Sequence, residues 1–159
     1  MTLGAKLEQA LASLAPFSTG EHVVEVDHGP QRLRCQLAAL DTLACTFTRL
    51  SLAADSLSQM STDQLKQTAE RLSSRLTYLL EPISLIETDS EGCVVQLRSN
   101  PPQKETDRTT YYELLVARTG ELSLVRYARP AGQPRQVIPA QVTREVLTRL
   151  TTDFSAAAE

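Results

Sequence analysis

Leu3, Leu7, Ala10, Leu11 and Leu14 recur at helical spacing near the start of the chain, with Thr2 placed to cap the first turn and Pro16 beyond the last. Residues 22–28, 31–38 and 43–53 then alternate as three strands. Asp27-His28-Gly29-Pro30, residue types that favour a tight turn, joins the first two. Centring the next loop on Leu40 sets Leu37 opposite Leu43, Cys35 opposite Cys45 and Leu33 opposite Phe47. All six then share one face while Arg32, Arg34 and Gln36 take the other, as a half-buried hairpin requires. The alternation changes phase toward Leu50 and Leu52, which predicts a bulge near Thr48-Arg49.

Residues 60–80 carry Leu65, Ala69, Leu72, Leu76, Leu79 and Leu80 on one helical stripe, opposite Lys66, Glu70, Arg71 and Arg75. Ser61 and Gln64 form a capping box, Met60 and Leu65 take the positions of a hydrophobic staple, and Pro82 stops the helix. A meander of strands at 83–88, 92–98, 110–117 and 121–128 follows, turning at Asp89–Gly92 and at Thr119-Gly120. With that last turn Arg118 faces Glu121 and Glu113 faces Arg126. Tyr112, Leu114, Val116, Val125 and Tyr127 then share one side, and Tyr111, Leu115, Ala117, Leu122 and Leu124 the other. Apolar groups on both faces require a helix layer on one and a second cover, from this chain or from another molecule, on the other. A closing helix over 140–154 presents Val142, Val146, Leu147, Leu150 and Phe154, with Pro139 in its first turn and SAAAE as a frayed tail.

The order αβββαββββα, with strands in antiparallel groups and helices between and at the ends, defines an α+β fold rather than a doubly wound one. A chain of 159 residues is read as one domain, a helix and three strands over 1–59 followed by helix, meander and helix over 60–155. It needs no disulfide or metal to bury a core. A net charge of −3, 4% aromatic residues and the absence of Trp argue against nucleic-acid binding. No apolar run approaches a membrane span, and the N-terminus does not read as a secretory signal. Three cysteines without CxxC spacing fit the cytoplasm.

EHVVEVDHG, residues 21–29, gathers both histidines with three carboxylates. In an extended strand His22 and His28 stand roughly 20 Å apart, too far to share a metal, so the stretch reads as polar trim. Opposed positions in a hairpin lie about 4.5–5.5 Å apart at Cα, which makes Cys35 and Cys45 a candidate redox-sensitive pair. The alternative is two buried thiols among apolar neighbours. Cys93 is read as structural, and the acidic run LIETDSEG as a solvated turn lacking calcium-loop spacing. No phosphate loop, HExxH or GxSxG occurs, and no cofactor or metal is expected.

The surfaces that remain are the strand faces and two loops, 99–109 and 129–139, which leave the meander at the same end. They bring Lys104, Arg108, Arg129 and Arg135 together, partly offset by Glu105 and Asp107. The element order and acidic composition resemble those of small dimeric chaperones of bacterial secretion systems, a resemblance that includes no shared motif. It implies a mixed α/β protein that binds partner polypeptides. The leading expectation is a cytoplasmic, non-enzymatic interaction module, homodimeric, using Tyr112, Leu114, Val125 and Tyr127 for self-association and Arg129 and Arg135 toward a partner. The alternative is a small-ligand-binding domain or carboxylate enzyme with its pocket between the strand groups.

Overall fold

A computed structural model describes residues 1–14 and 18–159, so the stop assigned to Pro16 lies outside the described residues. Helix α1 (Leu3–Ala12) precedes strands β1 (Ser18–His28), β2 (Gln31–Leu40) and β3 (Ala44–Ala54). A one-turn helix α2 (Asp55–Ser58) leads to α3 (Thr62–Arg75). Strands β4 (Ile83–Asp89), β5 (Val94–Ser99), β6 (Gln103–Lys104), β7 (Arg108–Ala117) and β8 (Glu121–Pro130) follow, then β9 (Gln136–Ile138), β10 (Ala140–Thr143) and helix α4 (Arg144–Ala157). The fold is α+β, with helices flanking an antiparallel sheet.

The two strand groups form one sheet in the order β1-β2-β3-β8-β7-β5-β4. They join where Leu50 and Leu52 of β3 face Leu124 and Leu122 of β8. Beyond that point a segment broken at Pro139 lies against both strands, β9 on β8 and β10 on β3. The closing helix therefore starts later than its apolar periodicity suggests. Residues 140–143 add to the sheet, and Thr143 caps α4 by accepting from the Val146 amide at 3.0 Å. At its other end the helix runs to Ala157 and buries Ala158, so the expected frayed tail is docked. Gln31 donates to the Ser155 carbonyl there, at 3.0 Å.

Local chemistry accounts for the helix starts. Thr2 accepts from the Ala5 amide at 3.1 Å, and the Ser61/Gln64 capping box closes with both bonds in place. Helix α3 stops at Arg75, short of the expected end, and a 3₁₀ turn over Thr77–Leu79 follows. Leu80 then adopts φ +64°, which reverses the chain before Pro82. Leu3, Leu7 and Leu11 of α1, Leu65, Ala69 and Leu72 of α3, and Leu147, Leu150 and Phe154 of α4 pack on one side of the sheet. That side presents Leu33, Leu50, Leu52, Val95, Leu97, Leu114, Val116, Leu122 and Leu124. Each such leucine contributes roughly 1.5–3 kcal/mol through burial.

Two hairpin registers differ from the sequence expectation, and a turn sets each. Asp41 Oδ1 accepts from the Leu43 and Ala44 amides at 2.8 and 2.7 Å, moving the second hairpin's loop beyond Leu40. Leu40 consequently faces Cys45, Leu37 faces Phe47, Cys35 faces Leu50 and Leu33 faces Leu52, while Leu43 points outward and is 77% exposed. The bulge expected near Thr48-Arg49 is present, since Gln36 pairs Arg49 while Leu37 pairs Phe47. In the last hairpin Ala117 faces Glu121 across a three-residue turn, Arg118-Thr119-Gly120, with Gly120 at φ +99°. That one-residue difference exchanges faces. Tyr112, Leu114 and Val116 join Leu122 and Leu124 beneath the helices, while Tyr111, Glu113 and Leu115 join Val125 and Tyr127 on the side without helix cover, bare in that sense alone, since Tyr111, Glu113 and Val125 are themselves buried.

Candidate functional site

The bare side of the sheet is built from alternate residues of every principal strand. One row across it runs Arg34, Ser51, Ser123, Leu115 and Gln96, paired strand to strand. Tyr111 and Tyr127 are directly opposed, with ring centres 5.9 Å apart. The Arg98 guanidinium stacks on Tyr111 at 5.1 Å and that of Arg135 on Tyr127 at 3.9 Å. Both arginines also converge on Glu113, a residue only 3% exposed. Its Oε2 accepts from Gln96 Nε2 at 2.9 Å, Arg98 Nε at 3.2 Å and Arg135 Nη1 at 2.6 Å. Desolvation disfavours charge on Arg135, but its bonds to Glu113 and Tyr111 outweigh that and hold its pKa above the ordinary arginine value. The stems and rings of this cluster cover apolar sheet surface that no helix reaches.

Four of the residues expected to mediate interaction lie on this side by register: Val125, Tyr127 and Arg129 on β8, and Arg135 through its contacts with Tyr127 and Glu113. Tyr112 and Leu114 do not, because the three-residue turn sends them under the helix layer, where they are 5% and 0% exposed. The predicted facing of Glu113 and Arg126 is likewise replaced: Val125 faces Glu113, and Arg126 pairs with Glu81 instead. Loops 99–109 and 129–139 do meet, with the Ala131 amide donating to the Asp107 carbonyl at 3.2 Å. Their cations do not pool. Arg108 pairs with Glu105 at 2.7 Å and Arg135 with Glu113, while Arg129 is exposed.

A second feature lies at the end of the helix-covered side. There the 3₁₀ turn and residues 80–82 stand across from Pro101, Pro102 and Gln103, leaving an open groove of about 700 Å³. Its floor includes Tyr112, with the Arg126 guanidinium stacked above it at 4.5 Å. Arg126 Nη2 donates to Thr110 Oγ1 at 3.0 Å and to Gln103 Oε1 at 3.2 Å. Arg126 Nη1 lies 2.9 Å from Glu81 Oε2 without the alignment of a hydrogen bond, and neither it nor Glu81 Oε1 has a hydrogen-bond partner. Desolvation, followed by the opposing pull of Arg126, leaves the Tyr112 phenol with a raised pKa. Sequence reading did not find this groove, since it depends on segments near residues 80, 101, 126 and 139 meeting in space.

The remaining candidates resolve individually. Cys35 and Cys45 are free, buried and not opposed, so the register that motivated a redox pair is absent. Desolvation pushes the Cys45 thiol up to about 11, and the Cys35 thiol higher still, with the neighbouring Cys45 adding to the effect. Cys93 is buried at a turn position with φ +52°, accepting from Thr62 Oγ1 at 3.8 Å. Asp89 Oδ1 accepts from the Glu91 and Gly92 amides, closing the acidic turn. His22 and His28 lie on β1, His22 facing Leu37 and His28 facing Gln31. Among the described residues no three His, Cys, Asp or Glu side chains gather as a metal site, and no helix is long and apolar enough to cross a membrane. No protein-family model, curated protein or solved structure matches the chain.

Proposed function

We propose that this chain is a non-enzymatic protein-interaction module of chaperone-like character that works as a homodimer through the bare side of its sheet. The observation that carries the reading is the one-sided helix packing: α1, α3 and α4 share one core against one face, while the other seats Tyr111 and Val125, each 7% exposed within the chain, beside Leu115 and Tyr127, with only arginine side chains stacked on the two tyrosines. Val23 and Val137 extend that face toward solvent, 51% and 52% exposed. A second copy would cover it isologously, each patch meeting its own image across a two-fold axis. Three free thiols support a reducing, cytoplasmic setting. The partner-facing residues are then Arg129 and Arg135, at the rim of the same surface.

Light scattering after size-exclusion at micromolar concentration tests the reading. A dimer is expected, shifting to monomer for Val137→Asp combined with Arg129→Glu while far-ultraviolet dichroism stays unchanged. Wild-type protein that remains monomeric at high micromolar concentration removes the dimer. The groove beside Glu81 and Arg126 favours a second reading, a small-ligand site. A rise in melting temperature with one of a panel of metabolites and metals would support it.

A further inference from the structure

The sheet ends on two outer strands, β4 and β1. An outer strand carries main-chain N–H and C=O groups on the side away from its neighbour. On β4 the ladder to β5 shifts register between Leu85 and Glu87, which breaks the outward row at Ile86. Strand β1 instead pairs with β2 without a shift from His22 to His28. Its hairpin closes through Gly29, at φ +58°, and Pro30, a two-residue turn that makes His28 and Gln31 a hydrogen-bonded pair. Such pairs alternate along an antiparallel ladder. Val26 and Val24 therefore bond to β2 as well, while Val23, Glu25 and Asp27 turn their main-chain groups outward. The Asp27 carbonyl bears out this phase, since it accepts from Lys6 Nζ of α1 at 2.8 Å.

Among the described residues no strand lies beyond Val23 and Glu25, and Val23 is 51% exposed. The Glu25 and Asp27 side chains are each more than half exposed, and the arginines that pair with them, Arg34 and Arg32, stand one strand further in. An added strand would thus meet the carboxylates before the guanidinium groups. A second copy of β1 fits this edge poorly. Antiparallel registers centred on Val23, Val24 or Glu25 would oppose Glu21 to Glu25, Glu21 to Asp27, or Glu25 to its own image. Like charges directly opposed across a ladder are destabilising. The complementary occupant is a strand of another polypeptide that carries bases where this edge carries acids.

We propose that the free edge of β1 binds an extended, basic segment of a partner polypeptide as an added strand, its main chain bonded to Val23 and Glu25 and a lysine or arginine beside the Glu25 carboxylate. The outward row of main-chain groups selects a strand, and the carboxylates select its charge. Lys6 bounds the row by occupying the Asp27 carbonyl. The site does not depend on a dimer through the helix-free face.

The test uses the full chain, ¹⁵N-labelled, titrated with capped nine-residue peptides in which lysine alternates with valine and threonine. One matched peptide carries glutamate in place of lysine; another keeps the lysines but is N-methylated at their amides, the donors that would face β1. Slower amide exchange at Val23 and Glu25 is expected with the unmethylated lysine peptide alone. Val23→Pro removes an outward N–H without touching a bond to β2, so it is expected to keep the fold and weaken binding about tenfold. Glu21→Lys with Glu25→Lys leaves the backbone as it is and is expected to transfer binding to the glutamate peptide, which decides the matter if the proline variant fails to fold. Equal binding of the N-methylated or glutamate peptide by the wild-type chain, unchanged affinity in a folded Val23→Pro variant, a retained preference for lysine after charge reversal, or no binding at all would each overturn the proposal. So would protection at Ile86 instead of Val23. Protection at Val23 that rises with protein concentration in the absence of peptide would place a second copy on the edge and overturn it too. The light-scattering measurement decides the dimer separately.

Discussion

Arg135 Nη1 lies 2.6 Å from Glu113 Oε2, a bond that ties the loop after β8 to the middle of β7. The carboxylate is nearly inaccessible, whereas the two arginines holding it are each more than a third exposed. A buried charge without partners is far more costly than a surface charge without one. The cluster is therefore asymmetric. Glu113→Ala, which leaves both guanidinium groups able to turn to water but opens a hole in the cluster, is expected to cost about 2–3 kcal/mol. Arg135→Ala leaves Arg98 and Gln96 on the carboxylate and, discounted for solvent screening, is expected to cost about 1 kcal/mol. Urea denaturation of the two variants and their double mutant checks both values, and additive effects would show that the contact contributes nothing.

Gly120 determines which face of β8 is buried. At φ +99° an alanine is strained, and its added Cβ would lie 3.4 Å from the Ala54 carbonyl oxygen. Gly120→Ala is expected to lower stability by about 1–2 kcal/mol. A thermal melt unchanged from wild type would show that the three-residue turn is not what holds the register.

Asp41 plays the corresponding part in the β2–β3 hairpin. Its pKa is lowered by hydrogen bonds from the Ala44 and Leu43 amides. A lowered folded-state pKa means its contribution is present above the ordinary aspartate range and fades as pH falls below it. Asp41→Ala is expected to speed amide exchange at Leu43 and Ala44 at neutral pH and to abolish any acid-induced change there. Equal exchange rates in the two proteins would contradict that role.

The buried thiols predict alkaline lability. Cys45 is raised from 9.0 to about 11, chiefly by burial. Below pH 9 both folded and unfolded chains keep the proton; above it the unfolded chain releases it first, so stability falls as pH rises. Cys45 alone is expected to remove about 2 kcal/mol by pH 11, with Cys35 adding to the loss. Tyr78, raised by burial and then by its bond to Asp153, acts in the same direction. Denaturant midpoints measured from pH 8 to 11 check the slope, which Cys35→Ala with Cys45→Ala should reduce. In the native state at pH 8 neither thiol should react with a disulfide reagent until the chain unfolds.

Local signals in the sequence identified the elements because each rests on neighbours in the chain. The Thr2 and Ser61 caps, the leucine stripe over 65–72 and the bulge at Thr48 all depend on residues a few positions apart. So does the meander, whose strands follow one another in space as in sequence. The short strands β6, β9 and β10 carried no periodicity long enough to read, and β10 displaced the predicted start of the closing helix.

Sequence by itself determined an α+β chain of two antiparallel strand groups with an aliphatic helix-facing core. Alternation and helical periodicity encode which residues share a side within one element. Only the tertiary structure decided which sides face each other. A single residue more or less in a turn exchanges the faces of an entire strand, and Asp41 and Gly120 each set a loop differently from the simplest count. Tyr112 passed in this way from the expected interaction surface to the floor of the groove, and Tyr111 took the bare side. The groove itself joins residues as far apart as Leu79 and Gln141, a proximity that no window along the chain contains.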